Sequence, residues 1–312
     1  MTTYTNPVFP DYFADPFVLE HGGTYYAYGT APGPGGVFPL LTSPDLTTWT
    51  AAGRVLAPLT EGGWTDYWAP EVAHHQGRFY LYYSAGRGDQ GHHLRVAVSD
   101  HPAGPFIDQE LVLTPELSFA IDPSPFRDED GQWYLYYATD VLEGERVGTS
   151  LVVQRLADMV RLEGERHTVL RPSQDWQIYQ RSRSIYGAEH DWHTLEGPCV
   201  VKRSGRYYCF YSGGAWTNPS YGVSYAAASS PLGPWTEPHQ GGPAILSTVP
   251  GHVTGPGHNS LVRTPAGQDV LVYHAWDVAQ TARRLCLDRL EWTPDGPRLT
   301  GPTWTPQPGF GH

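Results

Sequence analysis

The chain of 312 residues carries a formal net charge of −12 and is 13% aromatic, with 20 Tyr, 11 Trp, 35 Gly and 29 Pro. The charge is spread without long acidic blocks, which argues against nucleic acid and anionic membrane surfaces as partners. No apolar run approaches the ~18 residues of a membrane span, and the aromatic, Gly- and Pro-rich mix favours short strands and turns over helices.

At this length the chain is expected to bury on the order of 75% of its unfolded surface, so a core needs no covalent staples. The first residues, Met1-Thr2-Thr3-Tyr4-Thr5-Asn6-Pro7, contain no basic segment followed by an apolar one, so no export signal is read there. Cys199, Cys209 and Cys286 are few and odd in number, the usage of a reducing compartment. Cys199 and Cys209 are placed across one hairpin, and a disulfide between them is the less favoured reading. Together these features predict a cytoplasmic protein.

Taken in order, the chain repeats one phrase five times: an acid or a small polar cluster, a short apolar run, a Gly turn and an aromatic strand. The first copy is Ala14-Asp15-Pro16-Phe17-Val18-Leu19, His21-Gly22-Gly23, then Thr24-Tyr25-Tyr26-Ala27-Tyr28. The second opens at Ala69-Pro70-Glu71, the third at Ala120-Ile121-Asp122-Pro123, the fourth at Glu196-Gly197-Pro198 and the fifth at Gly257-His258-Asn259. Their turn glycines are Gly23, Gly77, Gly131, Gly205 and Gly267. Each hairpin is followed by a second strand pair, such as Leu94-Arg95-Val96-Ala97-Val98-Ser99 with Gly104-Pro105-Phe106. Four antiparallel strands per period, five times over, predict an all-β, five-bladed β-propeller spanning residues 1–312 as a single domain. The third period exceeds the first two by ~20 residues, and the excess between Arg171 and His193 reads as a functional loop running into Glu196.

In a propeller the innermost strands line the central channel, so the residues that open them converge. Those are Asp15, Glu71, Asp122, Glu196 and His258. Four carboxylates and an imidazole brought together are costly unless they perform chemistry or hold a cation. Among the chemistries open to such a ring, glycoside hydrolysis fits: one carboxyl protonates the leaving oxygen, a second activates water or attacks, and a third raises the acid's pKa. Trp68, Trp192, Trp216 and Trp276 lie at the same end and suit the C–H faces of a sugar, although each alone reads more readily as blade packing, Trp68 being the preferred sugar contact.

At these motifs the chain resembles glycoside hydrolase family 43. Ala14-Asp15-Pro16, Trp68-Ala69-Pro70-Glu71, Ile121-Asp122-Pro123, Glu196-Gly197-Pro198, Tyr211-Ser212-Gly213-Gly214 with Trp216, and Gly257-His258-Asn259 carry the likeness, over residues ~6 to 300. The resemblance implies an inverting hydrolase with Asp15 as general base, Glu196 as general acid and Asp122 as the residue that tunes and orients the acid. It places His258 beside a hydrated calcium ion, and Trp68, Trp216 and either Arg284 or Arg283 (Arg284 being preferred) against the substrate; Glu71 receives no chemical role. The implied substrates are pentose-containing plant oligosaccharides. The absence of an export signal and of a further domain favours an α-L-arabinofuranosidase trimming small fragments over an endo-arabinanase or a β-xylosidase. Inversion further implies acid and base carboxylates roughly 6.5–9.5 Å apart. A non-catalytic sugar-binding propeller would lack one or more ring carboxylates, and all are present.

Two other signals are set aside. Gly86-Arg87-Gly88-Asp89-Gln90-Gly91 matches a dinucleotide fingerprint, but the segment after it reads as a strand, leaving no helix N-terminus for a pyrophosphate. His74-His75 and His92-His93 are adjacent pairs whose rings point to opposite faces of a strand, so neither pair chelates one ion. They read as surface or turn histidines.

Overall fold

The computed structural model describes residues 3–310, which form a five-bladed β-propeller. Blade one comprises Ala14–His21, Thr24–Thr30, Pro39–Ser43 and Thr50–Arg54, and blade two Asp66–His75, Arg78–Arg87, Gln90–Ser99 and Ile107–Val112. Blade three comprises Ala120–Arg127, Trp133–Val141, Gly148–Asp158 and Arg161–Leu170. Blade five comprises Thr254–Arg263, Asp269–Trp276, Arg283–Thr293 and Gly296–Leu299. Blade four has three full strands, Ala188–Arg203, Arg206–Gly213 and Gly222–Ala228, and its outermost strand is reduced to the isolated bridges Ala227–Thr236 and Val223–Leu246. The first strand of each blade is innermost, and these five contact one another in cyclic order, closing the ring. The N-terminal segment is sewn onto blade five by Val8 N–H to Leu285 O and Phe13 N–H to Arg283 O.

The aromatic strands predicted after each turn glycine form the second strand of every blade and supply most of the core between blades. Tyr28, Tyr82 and Tyr136 occupy equivalent positions in blades one to three and are fully buried. Each hydroxyl donates to a turn carbonyl of the next blade, Pro102 O, Met159 O and Pro231 O respectively. A buried tyrosine needs such a partner, and the series makes each blade grip its successor.

Every inner strand carries a bulge near its start, where two residues oppose one on the partner strand. The bulged residues are Asp15, Ala69, Asp122, Gly197 and His258, all in left-handed backbone with φ of 49°, 49°, 58°, 56° and 48°. This corrects the alignment expected from counting back from the turns. Glu196 stands one residue before the equivalent position, and Glu71 two residues after it. Glu71 belongs instead to a second layer with Phe17, Ser124, Cys199 and Ser260, which pair with Tyr82, Tyr28, Tyr136, Phe210 and Val272.

The excess of the third period is also more ordered than a loop. Its core is a β-hairpin of Ile178–Ile185 and the start of Ala188–Arg203, turning at Tyr186 and Gly187. The three cysteines are free and buried. Cys199 pairs with Phe210 while Cys209 pairs with Val200, so the two thiols face opposite sides of the sheet. No helix among the described residues is long and apolar enough to cross a membrane.

Candidate active site

The bulges aim the carboxylates at the mouth of the channel. Asp15 and Asp122 are 8% and 6% exposed, while Glu196 is more open and lines a cleft of about 910 Å³. His258 holds the base side and the acid side together: its Nδ1 lies 3.6 Å from Asp15 Oδ1 and 3.9 Å from Asp122 Oδ2. Facing atoms of Asp122, Glu196 and His258 all fall within 4.8 Å of one another. Gly197 is required here, because a Cβ on its φ of +56° backbone would meet the His258 ring at 3.2 Å.

The three carboxyls sit in different electrostatic settings. Burial alone would raise Asp15, but the Arg283 guanidinium outweighs it and holds the carboxyl well below its usual range. Arg283 Nη1 donates to Asp15 Oδ1 at 3.0 Å, and its Nη2 donates to the Tyr12 hydroxyl at 2.6 Å. Glu196 is pushed up to about 7 by burial and by the charge of Asp15, against the restraining hydrogen bond of Tyr221 and the charge of Arg283. Tyr221 OH donates to Glu196 Oε1 at 2.5 Å. Asp122 is raised by burial and then by Glu196 and Asp15, while accepting the Gly197 N–H at 2.9 Å. Asp122 and Glu196 repel each other's charge and titrate as a pair that retains a proton near neutrality. Asp15, by contrast, is ionised. Environments that push neighbouring carboxyls in opposite directions create one base and one acid.

Of the aromatic residues named from sequence, Trp68 and Trp216 line the cleft. Trp68 is backed by His92, stacked at 3.7 Å, and Trp216 by Trp276, with Arg283 4.5 Å over its ring. Trp192 is 1% exposed, yet it borders the cleft floor and serves as packing for the hairpin. His92 departs from the reading as a surface histidine: it is fully buried, with Nε2 on Gly88 O at 2.8 Å. His93 is half-buried beside it, and Gly86–Gly91 is the blade turn expected in place of a phosphate loop.

Arg284 is a correction. Successive side chains on a strand point to opposite faces. Arg283 therefore enters the channel, and Arg284 turns away to pair with Asp277 at 2.8 Å. Glu71 lies in the layer below, near Ser124 and Cys199, and burial pushes its carboxyl up to about 8. Residues that sequence reasoning missed are Tyr12, Tyr221 and His274.

The inserted hairpin leans across the cleft from blade four. Arg183 is sandwiched between Tyr179 and Trp192, 5.3 Å from each ring, and reaches Asp89 of blade two at 3.1 Å. Tyr186 OH donates to Asp140 of blade three at 2.7 Å. The hairpin thus bridges blades two to four over the acids.

For calcium, the channel offers Asp122, Glu196 and His258 as donors within one sphere. Ca²⁺ takes six to eight ligands and draws on water as well as protein oxygens, so a hydrated ion here would be held by few protein groups, His258 with Asp122 and Glu196 beside it.

The sequence profile described as "Glycosyl hydrolases family 43" matches residues 4–297. The chain is 32% identical to the β-D-galactofuranosidase xynD of Aspergillus niger over 314 residues, covering 93% of this chain and 83% of that protein. It is 28% identical to an extracellular exo-α-(1→5)-L-arabinofuranosidase of Streptomyces avermitilis, covering 94% of this chain and 62% of that protein. A crystal structure of a thermostable family-43 glycoside hydrolase superposes with a TM-score of 0.85 at 36% identity, over 98% of both chains. The expectation of a cytoplasmic protein is overturned, since the Streptomyces relative and two others are named extracellular. The cysteine count misled because these thiols are sealed in the core, where they stay free whatever the redox state outside.

Proposed function

The chain belongs to glycosyl hydrolase family 43, a glycoside hydrolase, and on that premise we propose that it removes terminal α-L-arabinofuranosyl residues with inversion. The observation that carries the mechanism is the divergent setting of Asp15 and Glu196. Asp15, kept ionised by Arg283, takes a proton from water as that water attacks the anomeric carbon. Glu196, protonated near neutrality, gives its proton to the leaving oxygen as the glycosidic bond breaks. Turnover leaves Asp15 protonated and Glu196 ionised, and solvent restores both. Asp122 keeps the acid's proton affinity high and fixes its backbone through Gly197. Trp68 and Trp216 present the flat faces on which a sugar packs.

The hairpin that crosses from blade four to blades two and three supports exo action, since it obstructs passage of a polymer through the cleft. A β-D-galactofuranoside is the second reading, favoured by the 32% identity to a protein so named. The two sugars share a furanose ring configuration and differ in the exocyclic carbon chain. A panel of aryl α-L-arabinofuranoside, β-D-galactofuranoside and β-D-xyloside, with linear arabino-oligosaccharides, tests both. The arabinofuranoside is expected to be cleaved fastest and the oligosaccharides to yield only monosaccharide from the outset. Early release of di- and trisaccharides would make the enzyme endo-acting.

Opposite pH shifts test the acid's surroundings. Asp122→Asn removes a negative neighbour and lowers the pKa of Glu196, so the alkaline limb of kcat/KM moves to lower pH. Tyr221→Phe removes a hydrogen bond that favours the ionised carboxylate, so the same limb moves to higher pH. If Asp122→Asn lost activity with the limb unmoved, Asp122 would be a substrate ligand instead.

A further inference from the structure

The repeat itself exposes a residue with no place yet in the reaction. A bulge frees the backbone N–H of its residue from the sheet ladder, and a buried N–H needs another acceptor. At four of the five bulges the acceptor comes from the preceding blade. Ala69 N–H donates to Thr30 Oγ1 at 2.9 Å and His258 N–H to Ser212 Oγ at 2.7 Å. Thr30 and Ser212 stand opposite Ala14 and Glu196, at one equivalent position of the second strand. Across the five blades that position carries Thr30, Ser84, Ala138, Ser212 and His274. Blade three, with Ala138, lacks a hydroxyl, and there Asp122 Oδ2 accepts the Gly197 N–H itself.

Blade five alone uses an imidazole. His274 Nδ1 accepts the Asp15 N–H at 3.0 Å, so the neutral ring carries its hydrogen on Nε2. That Nε2 is buried without a partner among the described residues, and the side chain is wholly inaccessible. A hydroxyl does the same backbone task for Ala69 and His258, whereas the imidazole here leaves a buried ring N–H with no partner, which is costly. Local departures from a repeat that add cost are expected where function requires them.

What the larger ring adds is reach. It lies parallel to the Tyr221 ring, with centroids 5.9 Å apart at 10°, and Tyr221 holds Glu196. The His258 ring lies 6.3 Å from it at 25°. Gly257 clears the space for Tyr221, since a Cβ there would meet Tyr221 Cε1 at 2.0 Å. The charged groups around the ring are Asp15 and Arg283, with His258 and Tyr221 completing its surroundings. Asp15 Oδ1 lies 3.3 Å from Nδ1, but that nitrogen is already an acceptor, so the carboxylate's charge is answered by Arg283.

We propose that His274 is a positioning residue of the reaction. It fixes the left-handed backbone that aims Asp15, and through its stack on Tyr221 it sets the spacing between base and acid. The inference rests on Asp15 acting as the general base. Three variants test it, each assayed on an aryl arabinofuranoside with a good leaving group and on an arabino-oligosaccharide. His274→Ala is expected to lose kcat by about 10²-fold on both substrates with KM little changed, the signature of a misplaced base. His274→Asn places Oδ1 where Nδ1 stands and restores the acceptor without the ring stacked on Tyr221, so it recovers only part of that loss. His274→Ser supplies the hydroxyl used by other blades, keeps the melting temperature and still fails to recover kcat. Should His274→Ala not fold, the contrast between the Asn and Ser variants carries the test alone. Wild-type kcat in His274→Ser, or losses confined to KM and melting temperature, would reduce His274 to a structural latch and overturn the proposal. An active Asp15→Ala enzyme would instead refute the reading of the base, which separates the two failures.

Discussion

Glu196→Gln is expected to lower kcat on arabino-oligosaccharides by about 10³-fold, while an aryl glycoside with an acidic leaving group loses far less. The asymmetry follows from what the residue does. An alkoxide leaving group needs a proton in the transition state, whereas a nitrophenolate leaves without one. The amide of Gln still accepts the Tyr221 hydrogen bond, so the cleft keeps its shape and KM on both substrates should change little. The alkaline limb of the pH profile should also vanish in the variant, because the group pushed up to about 7 is gone. Equal losses on the two substrates would mean that Glu196 is not the acid.

Asp15→Ala is the second large effect, expected at about 10⁴-fold on every substrate, good leaving group or not. Water must be deprotonated whatever departs. The substitution also strands Arg283, which is buried and makes its ion pair with Asp15 at 3.0 Å. An unpaired buried charge costs several kcal/mol, so this variant should melt lower as well as turn over more slowly. Asp15→Asn keeps an oxygen for Arg283 and separates the two consequences: stability returns in part, and activity does not.

Much of this arrangement was legible before any coordinates, because the information is periodic. Five turn glycines, five aromatic strands and acids at a nearly constant offset specify a ring and place Asp15, Asp122 and Glu196 at its centre. What was not legible depends on register. Asp15, Ala69, Asp122 and His258 adopt positive φ without being glycine. No residue type announces such a bulge, so counting back from the turns set Glu71 and Glu196 in a layer they do not share with the others. The same uncertainty of one residue decided Arg284 against Arg283, since a single step along a strand exchanges the channel for the outer face. His274 was hidden for a different reason. Its role is visible only against Thr30 and Ser212, and that comparison requires knowing which strand positions face one another. The inserted hairpin escaped because Ile178–Ile185 lacks clean alternation and turns on Tyr186-Gly187, which is a weaker signal than Asn-Gly.

The central claim is that water activated by Asp15 displaces the leaving group directly, with no glycosyl-enzyme intermediate. Proton NMR of the first sugar released from an aryl α-L-arabinofuranoside, recorded before mutarotation, tests it. The product is expected to appear first as the β anomer, with the α anomer growing in only later; an initial α anomer would mean retention, and would contradict the account.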